Sequence, residues 1–506
     1  MPTDAQTIAG DGAVAGTGGQ GTALAALAHA LIWSVVPALV IGNMHQDTLE
    51  AAYWSGDLAL GYAEHPPLLS WVIGLALRIG GPPIFTLLLI SQIGMVVAAA
   101  YVWRTVRLYA PPSSAAMAVM LTLISPAATV YGVQVNHNSF LAPFWAAAIF
   151  YGVAYLEGGK SRDAVSFAVA TGLGLLVKYE MAFIVVCLFA LAMVAPRFRA
   201  AFRRPATYVA MVIVGAIIAP HVAWLAQHSG PSVAYALGRH KMTDAGRIAV
   251  SAGNALVGLF VLFAVPAIIL LAANARCGAA DRPAWRSARG AIGAALAFGP
   301  FLVMLIGVAA TLQIAKPLWT TPMTSSSAVG LMLLFPLRGD RGCGERGVAK
   351  GVVLLSVVAM IGFLAYLFVA DIVTASRGAP MVTYAADTRK LGAAVDDFWS
   401  AHTSEPLECI VIAERSLAAS TVLWMRSRPR YVDFIDEFWS TPSRVARCRR
   451  SGGVVVLTHI PGEQAIFDAF PAARDAPRLS VAVPAAFGFS GATWPVELIF
   501  LAPNAG

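Results

Sequence analysis

Apolar runs of about 20 residues recur through this 506-residue sequence, and they constrain its fold more than any other feature. A run of that length crosses the hydrocarbon core of a bilayer as a single α-helix. Charged residues make up 12% of the chain, which is about half their share in soluble domains. The mean hydropathy is +0.70. These features predict a mainly α-helical, polytopic membrane protein.

Eleven membrane spans are predicted from these runs, beginning with Ala23–Ile41. The other ten lie at about 83–103, 112–131, 139–156, 164–178, 181–195, 206–224, 249–273, 290–312, 322–337 and 350–370. The stretch 68–79 is apolar but too short to cross, so it is expected to lie at the membrane interface or to re-enter the bilayer. Residues 1–22 show no periodicity and lack the basic region of a signal peptide, so we expect a disordered leader there.

The distribution of Lys and Arg between the loops predicts how the chain is oriented. Alternate loops carry 16 of them: Arg104, Arg107, Lys160, Arg162, Arg197, Arg199, Arg203, Arg204, Arg276, Arg282, Arg286, Arg289, Arg338, Arg341, Arg346 and Lys350. The opposite loops carry six: Arg78, Lys178, Arg239, Lys241, Arg247 and Lys316. Cytoplasmic loops are enriched in Lys and Arg, so the N-terminus is predicted to be cytoplasmic and the loop 43–82 to lie outside. This pattern explains the net charge of +8 without nucleic-acid binding.

The composition changes at about Asp371, which divides a membrane domain at 23–371 from a C-terminal segment at 372–506. Short β-like runs alternate there with helical patterns, so a small α/β domain outside the membrane is expected, on the same side as the loop 43–82. It contains no phosphate-binding glycine motif and receives no nucleotide site. Cys409 and Cys448 could form a disulfide if this domain faces an oxidising compartment, which the sequence leaves open.

The loop 43–82 concentrates polar residues in a chain that has few of them. Asp47 and Glu50 are three residues apart, so they share one face of a short helix. Apolar neighbours indicate that this helix lies against the membrane surface, where partly desolvated carboxylates suit a general base. A solvated first helical turn is the alternative, because acids are favourable there.

The same loop contains Tyr62, followed by Glu64 and His65 directly before two prolines. An adjacent Glu and His can bind a divalent cation, or can hold a phosphate and sugar hydroxyls. The prolines restrict the backbone and begin the next helix. A structural turn with an incidental ion pair is the alternative interpretation.

Further polar groups lie at the outer ends of the predicted spans, and we regard them, together with Tyr62, Glu64 and His65 of the first loop, as candidate substrate-binding residues. They are Asn136, Asn138, Lys178, Tyr179, Arg239, His240, Lys316 and Trp319. The outer loops have few cations, and these cluster with histidine and aromatic residues, which suits a lipid phosphate. Helix capping by Asn138 and snorkelling by Lys178 are the alternatives.

Four motifs together resemble a known family. They are DTLEAAYW at 47–54, GYAEHPPL at 61–68, NHNSFLAPFW at 136–145 and LLVKYE at 175–180, with KPLW at 316–319 also in keeping. The chain resembles the polyprenyl-phosphate-dependent glycosyltransferases of the GT-C fold, in the branch of the protein O-mannosyltransferases and aminoarabinose transferases. It is most similar to the rhizobial lipid A galacturonosyltransferase-like branch. The resemblance implies a bacterial inner-membrane enzyme whose active site and C-terminal domain are periplasmic.

The resemblance also implies roles for individual residues. The first-loop aspartate of the family is the acceptor-activating base, which corresponds to Asp47. Many members have adjacent Asp and Glu, whereas here Asp47 and Glu50 are separated, and a second acid at the fourth span is Asn138 in this chain. These departures favour the galacturonosyltransferase-like branch and leave open whether Glu50 shares the base role.

The implied reaction is an inverting transfer of a sugar from a polyprenyl phosphate to a lipid or cell-envelope glycan. The leaving phosphate would be stabilised by cationic side chains, with Lys178, Arg239, His240 and Lys316 as candidates. Glu64 and His65 would orient the sugar or the acceptor, with or without a divalent metal ion.

Three alternatives remain. A protein O-mannosyltransferase-like enzyme would use a protein acceptor. A lipid-linked sugar transporter would carry inverted repeats and charges within its spans, which the sequence does not show. A structural or signalling protein with a periplasmic sensor domain would tolerate the replacement of Asp47.

Overall fold

The structure is a computed structural model. It describes residues 19–56, 58–238, 242–277, 283–284, 287–337, 344–377, 387–412, 415–432, 442–458, 463–484, 491 and 493–503.

A helix lies at each of the eleven predicted spans. These helices are α1 (Gln20–Val40), α4 (Pro83–Arg107), α5 (Pro112–Leu123), α6 (His137–Gly158), α7 (Ser161–Val177), α8 (Met181–Val194), α9 (Pro205–Gln227), α11 and α12 (Ala245–Leu259 and Val265–Cys277, joined by the π-helical turn Phe260–Ala264), α13 (Ala288–Thr311), α14 (Met323–Leu334) and α15 (Glu345–Arg377). Among the described residues, seven helices, counting α11 and α12 as one, are long and apolar enough to cross a membrane. The expectation of a mainly helical, multi-pass membrane protein is confirmed.

The helices α5 and α14 are shorter than the spans predicted at 112–131 and 322–337. The helix α5 ends at Leu123, three residues before Pro126, whose ring cannot continue an unbroken helix. Likewise, α14 ends at Leu334, just before Pro336. Every residue of α14 is buried, so it lies inside the bundle, against α5 and α13.

Close packing in this central part depends on small residues. A Cβ atom on Gly330 of α14 would lie 2.3 Å from the backbone nitrogen of Ala297 in α13. The two backbones therefore approach one another at a distance that a glycine alone permits. Small residues serve in this way at helix contacts within membranes, where close van der Waals packing drives association.

The predicted loop 43–82 forms two short helices, α2 (Gln46–Trp54) and α3 (Leu68–Ile79), between α1 and α4. The twelve residues of α3 are too few to span a bilayer. Its side chains Leu75 and Ile79 are 61% and 80% exposed. An apolar face left uncovered on a short helix fits the expected position at the membrane interface.

The C-terminal region forms a five-stranded sheet flanked by helices. Its elements are α16 (Thr388–His402), β1 (Cys409–Ile412), α17 (Arg415–Trp424), β2 (Arg430–Val432), α18 (Pro442–Ser451), β3 (Gly453–Leu457), α19 (Glu463–Ala469), β4 (Arg478–Pro484) and β5 (Thr493–Leu501). The strand order is β2-β1-β3-β5-β4, with β1 parallel to β2 and β3, and with β5 antiparallel to β3 and β4. Cys409 and Cys448 form a disulfide with their Cα atoms 5.5 Å apart.

The C-terminal sheet domain packs on the first loop. Helix α17 lies against α2, the helix that carries Asp47 and Glu50. The remaining face of α2 contacts α3 and, through Thr48, the turn before α6, where the Thr48 hydroxyl donates to the carbonyl of Gln134. Helix α2 is therefore enclosed by the membrane bundle on one side and by the sheet domain on the other.

Candidate active site

A cavity of about 320 Å³ lies where the first loop meets the ends of the membrane helices. Its polar lining consists of Asp47, Glu64, His65, His137, Asn138, Lys178, Tyr179, Glu180, Thr311, Gln313, Lys316 and Trp319. Its apolar lining consists of Pro66, Phe183, Leu237, Met304, Gly307, Val308 and Leu318. Eight of the predicted site residues, drawn from four separate stretches of sequence, thus share one cavity.

Asp47 lies in the first turn of α2, with its side chain 35% exposed. His45 caps this helix: its Nδ1 accepts the backbone N–H of Asp47 at 3.3 Å. The same Nδ1 lies 3.7 Å from Oδ1 of the Asp47 carboxylate. The carboxylate itself is left facing the cavity.

Glu50 does not share this orientation, although it lies on the same helix. It is 4% exposed, does not line the cavity, and accepts a hydrogen bond from Nε2 of Gln46 at 2.8 Å. Because they are three residues apart, the two acids lie on one side of α2. Asp47 lies at the part of that side that faces the cavity, and Glu50 lies at the part that faces the protein interior. Asp47 is the one of the two that can reach a bound substrate.

Glu64 and His65 occupy a tight turn between α2 and α3. The backbone N–H of Tyr62 donates to the carbonyl of His65 at 3.1 Å, and the Tyr62 ring stacks on Trp54 with centroids 5.4 Å apart. Tyr62 is 6% exposed and does not line the cavity. Tyr62 therefore packs against the turn and stabilises it, whereas the sequence predicted that it contacts the substrate.

The two asparagines of the motif Asn136-His137-Asn138 have different positions, although the sequence predicted that both bind substrate. The side chain of Asn136 caps α6, accepting the backbone N–H groups of Asn138 and Ser139 at 3.0 and 3.1 Å. The cap is thus Asn136, and Asn136 does not line the cavity. Asn138, which the sequence offered as the alternative cap, has a side chain free of capping and directed to the cavity.

Lys178 is held by two oxygen atoms at the end of α7. Its Nζ donates to Oδ1 of Asn138 at 2.6 Å and lies 2.9 Å from Oε1 of Glu180. The side chains of Lys178 and Glu180 are 13% and 12% exposed. Burial raises the pKa of Glu180, and the ammonium group of Lys178 opposes that shift. The lysine is therefore a fixed, partly desolvated positive charge at the cavity wall.

Glu180 and His137 were not among the predicted site residues, although both stood in motifs that the sequence singled out. Oε2 of Glu180 and both ring nitrogens of His137 have no hydrogen-bond partner within the described residues. The His137 ring lies against that of His65, with centroids 3.8 Å apart. Glu180 could have been predicted as a site residue, because it lies two residues after Lys178, one of the few cations of the outer loops. Nothing in the sequence distinguished His137 from its asparagine neighbours.

Tyr179 connects three segments around the cavity. Nδ1 of His221 bonds to the carbonyl of Leu60 at 2.8 Å, and a carbonyl can only accept, so Nδ1 carries the proton. In the neutral ring Nε2 then accepts, and it does so from the Tyr179 hydroxyl at 2.8 Å. Ser232, in helix α10 (Pro231–Gly238), lies 2.8 Å from the same hydroxyl. Burial raises the pKa of Tyr179, so the hydroxyl stays protonated and the connection persists at neutral pH.

Lys316 and Trp319 also line the cavity: Lys316 is the N-cap residue of the 3₁₀ turn Pro317–Thr320, and Trp319 lies within that turn. Lys316 lowers the pKa of Glu180, although less than Lys178 does. Arg239 and His240, the other predicted phosphate ligands, lie outside the described residues.

The described cavity residues do not form a zinc site. The described part of the chain contains no group of three or more His, Cys, Asp and Glu side chains arranged to hold a metal ion. Glu64 and His65 offer two donor groups at most, and structural or catalytic zinc sites use three or four protein ligands.

Comparisons with known proteins agree with this architecture. Residues 64–224 match the family described as dolichyl-phosphate-mannose-protein mannosyltransferase. The crystal structure of ArnT from Cupriavidus metallidurans bound to undecaprenyl phosphate superposes with a TM-score of 0.60 at 13% identity, covering 96% of this chain and 98% of ArnT. The chain has the GT-C fold. The apo structure of the same ArnT gives a TM-score of 0.59 at 12% identity, with coverages of 94% and 97%.

One curated relative is also similar to this GT-C chain. The lipid A galacturonosyltransferase RgtD of Rhizobium johnstonii is 26% identical over 192 residues. That alignment spans 37% of the GT-C chain and 39% of RgtD.

Proposed function

We propose that this chain is a glycosyltransferase that moves a sugar from a polyprenyl phosphate to a hydroxyl group of a lipid or cell-envelope glycan, with inversion at the anomeric carbon. The observation that carries the proposal is the shared cavity, in which the Asp47 carboxylate and the Lys178 and Lys316 ammonium groups line one space. A general base can take the proton of the acceptor hydroxyl, and two cations can stabilise the leaving phosphate.

The lining of the cavity also suits a substrate carried on a lipid. Phe183, Met304 and Val308 form an apolar wall beside the charged residues. A polyprenyl chain requires apolar surface, and its phosphate requires fixed positive charge, so the two parts of the donor match the two parts of the cavity.

In the proposed reaction, the Asp47 carboxylate takes the proton of the acceptor hydroxyl. The hydroxyl oxygen attacks the anomeric carbon from the face opposite the phosphate, and the new carbon–oxygen bond forms as the bond to the phosphate oxygen breaks. The polyprenyl phosphate leaves with the bonding electron pair, and Lys178 and Lys316 stabilise its charge. Glu64, His65 and Asn138 form hydrogen bonds with the sugar hydroxyls.

The similarity to a lipid A galacturonosyltransferase favours a lipid acceptor and an acidic sugar. The family match over residues 64–224 favours the alternative, a protein O-mannosyltransferase-like enzyme. The proposed location is the bacterial inner membrane. The excess of Lys and Arg in alternate loops supports a cytoplasmic N-terminus, with the cavity and the C-terminal domain in the periplasm.

Comparison of cell-envelope glycolipids and glycoproteins tests the proposal. Cells with the intact gene, a deletion, and Asp47→Asn at equal expression are analysed by mass spectrometry. We expect one glycolipid to be lost in the deletion and in Asp47→Asn, and to persist in Asp397→Asn, which alters an exposed aspartate of the C-terminal domain. A glycoprotein lost in place of the lipid would favour the alternative acceptor, and an unchanged envelope in the deletion would refute the transferase.

The base assignment has its own test. Glu50→Gln keeps the oxygen that accepts from Gln46, and we expect it to retain most of the transfer. Full transfer by Asp47→Asn, or its loss in a folded Glu50→Gln protein, would remove the base role from Asp47 alone.

A further inference from the structure

A larger cavity, of about 750 Å³, lies at the other end of α6 from the active site, and we call it the distal cavity. Helix α6 runs from His137, which lines the active-site cavity, to Gly158, which lines the distal one. Its 22 residues extend about 33 Å, which is close to the thickness of the hydrocarbon core. The two cavities therefore lie near opposite faces of the membrane, and the proposed reaction uses only the first.

Three helices enclose the distal cavity: α4 at its C-terminal end, α6 in its second half, and α7 at its start. All the lining residues fall between positions 104 and 166, a part of the chain that the structure describes without a gap. Two of them, Phe150 and Gly158, are about 12 Å apart along α6. The cavity thus extends from the end of the helix bundle into its membrane-spanning part.

Four basic side chains line this cavity: Arg104, Arg107, Lys160 and Arg162. Arg104 and Arg107 are in the last part of α4 and, being three residues apart, share one face of the helix. The guanidinium carbon of Arg104 lies 4.2 Å from the centroid of the Phe150 ring. A guanidinium group that lies over a ring in this way is held in place, while the N–H donors in its plane remain able to bind an anion.

Arg107 is also held, but by the backbone. One of its terminal nitrogens donates to the carbonyl of Ala110 at 2.7 Å. A guanidinium group has five N–H donors, so this bond fixes the side chain without using it up. The two arginines of α4 are therefore positioned by a ring and by a carbonyl, neither of which neutralises their charge.

Two carboxylates also line the cavity, and each is held by a basic residue other than these two arginines. Glu157 accepts from Arg197 at 2.7 Å and from the Tyr109 hydroxyl at 2.8 Å. Asp163 lies 3.7 Å from Arg162, its neighbour in the sequence. The carboxylates thus stabilise the walls of the cavity and are not the ion-pair partners of Arg104 and Arg107.

The segment that supplies Arg197 indicates where the cavity lies relative to the membrane surface. This segment is the 3₁₀ helix Pro196–Arg203, which is bent by 108° from α8 and so lies across the end of the bundle. Phe198 is buried on one side of it, while Arg197 and Arg203 are exposed. A short segment with such a distribution is typical of the membrane interface. Because Arg197 bonds to Glu157, the distal cavity opens at the level of the lipid headgroups.

We propose that the distal cavity binds the phosphate group of an anionic phospholipid, between Arg104 and Arg107 of α4. Guanidinium groups bind phosphate through paired N–H donors. Leu108, Phe150 and Ala154 supply apolar lining, which suits the glycerol and the first acyl carbons of a lipid better than a soluble phosphate compound. The proposal does not depend on the transferase activity.

Native mass spectrometry of the purified full chain in detergent tests this proposal. The protein is titrated with phosphatidylglycerol, with diacylglycerol, which has the same acyl chains and no phosphate, and with inorganic phosphate. No sugar donor is present. We expect phosphatidylglycerol to bind more tightly than either of the other two.

The two arginines of α4 and one arginine outside the cavity provide matched variants. At about one basic residue's contribution to anionic lipid binding, Arg104→Gln or Arg107→Gln should each weaken the binding of phosphatidylglycerol about 5-fold, and the double variant about 25-fold. Arg203 is exposed at the same membrane face but is not among the described lining residues. Arg203→Gln removes the same charge from that face and should bind as the unaltered protein does.

Three results would overturn the proposal. These are unchanged lipid binding in the double variant, equal losses in Arg203→Gln and Arg104→Gln, and binding of inorganic phosphate as tightly as phosphatidylglycerol. Thermal unfolding of each variant, recorded without lipid, shows whether a loss of binding comes from loss of the fold. Because no donor is present, a failed transferase assay would leave this result standing, and the reverse also holds.

Discussion

Replacing Lys178 with methionine should destabilise the fold, and the loss should depend on pH. Lys178 and Glu180 form a pair 2.9 Å apart, with both side chains nearly buried. Removing one partner of such a pair costs about 3–5 kcal/mol, because the other charge stays buried without compensation. The hydrogen bond to Asn138 is lost as well.

The pH dependence follows from Glu180. Burial already raises its pKa above the ordinary value of 4.5, and the loss of the lysine, which lowers it, raises it further. A protonated Glu180 carries no charge to compensate, so the stability of Lys178→Met is best preserved below 4.5 and is lost as the pH rises through the raised pKa. The deficit relative to the unaltered protein should therefore be larger at pH 8 than at pH 5.

Thermal unfolding in detergent at pH 5 and pH 8, followed by tryptophan fluorescence, measures this deficit. Lys160→Met, which removes an exposed lysine at the start of α7, is the control and should leave the midpoint unchanged at both pH values. A deficit of equal size at pH 5 and pH 8 would refute the account of the buried pair.

The double variant Lys178→Met with Glu180→Gln separates structure from function. It removes both buried charges, so most of the stability and the pH dependence should return towards those of the unaltered protein. Transfer should remain lost, because no ammonium group replaces Lys178 at the leaving phosphate. Recovery of transfer together with stability would show that Lys178 acts on the fold alone.

Three further changes have outcomes that the structure specifies. Gly61→Ala places a Cβ atom 2.4 Å from a ring carbon of Trp224, so we expect a loss of about 1–3 kcal/mol in thermal unfolding, whereas Gly215→Ala, which meets nothing within 4 Å, should be tolerated. Cys409→Ser opens a loop closed across 39 residues and should cost about 4 kcal/mol under oxidising conditions, with no difference from the unaltered protein under full reduction. Asn136→Ala removes the cap of α6 and should lower stability by about 0.5–2 kcal/mol, whereas Asn136→Asp, which keeps the capping oxygen, should cost little.

Hydropathy predicted the position of each membrane helix because an apolar run within lipid must form a helix, in which the backbone N–H and C=O groups bond to one another. It overestimated the lengths of α5 and α14, since these helices are surrounded by protein and need not match the bilayer. The grouping of Asp47, Glu64, Lys178 and Lys316 in one cavity follows in part from topology, which brings alternate loops to one side.

The division of roles within each motif could not be read from the sequence. Asp47 and Glu50 differ because α2 is enclosed unequally on its two sides, and that depends on contacts with distant segments. Asn136 takes the cap because the chain enters α6 in an extended conformation at that residue. Tyr62 is sequestered by Trp54, a neighbour that spacing alone does not reveal.

The packing of α17 on α2 has a consequence for how the protein is made. The helix that covers residues 46–54, at 415–424, is synthesised only after the membrane helix α15. Contacts between such distant segments form late, because the whole intervening chain must first be in place. The membrane helices can therefore insert while the aspartate helix is still uncovered, so the site is completed in a final docking step. A chain released early would have a full set of spans and an unfinished site.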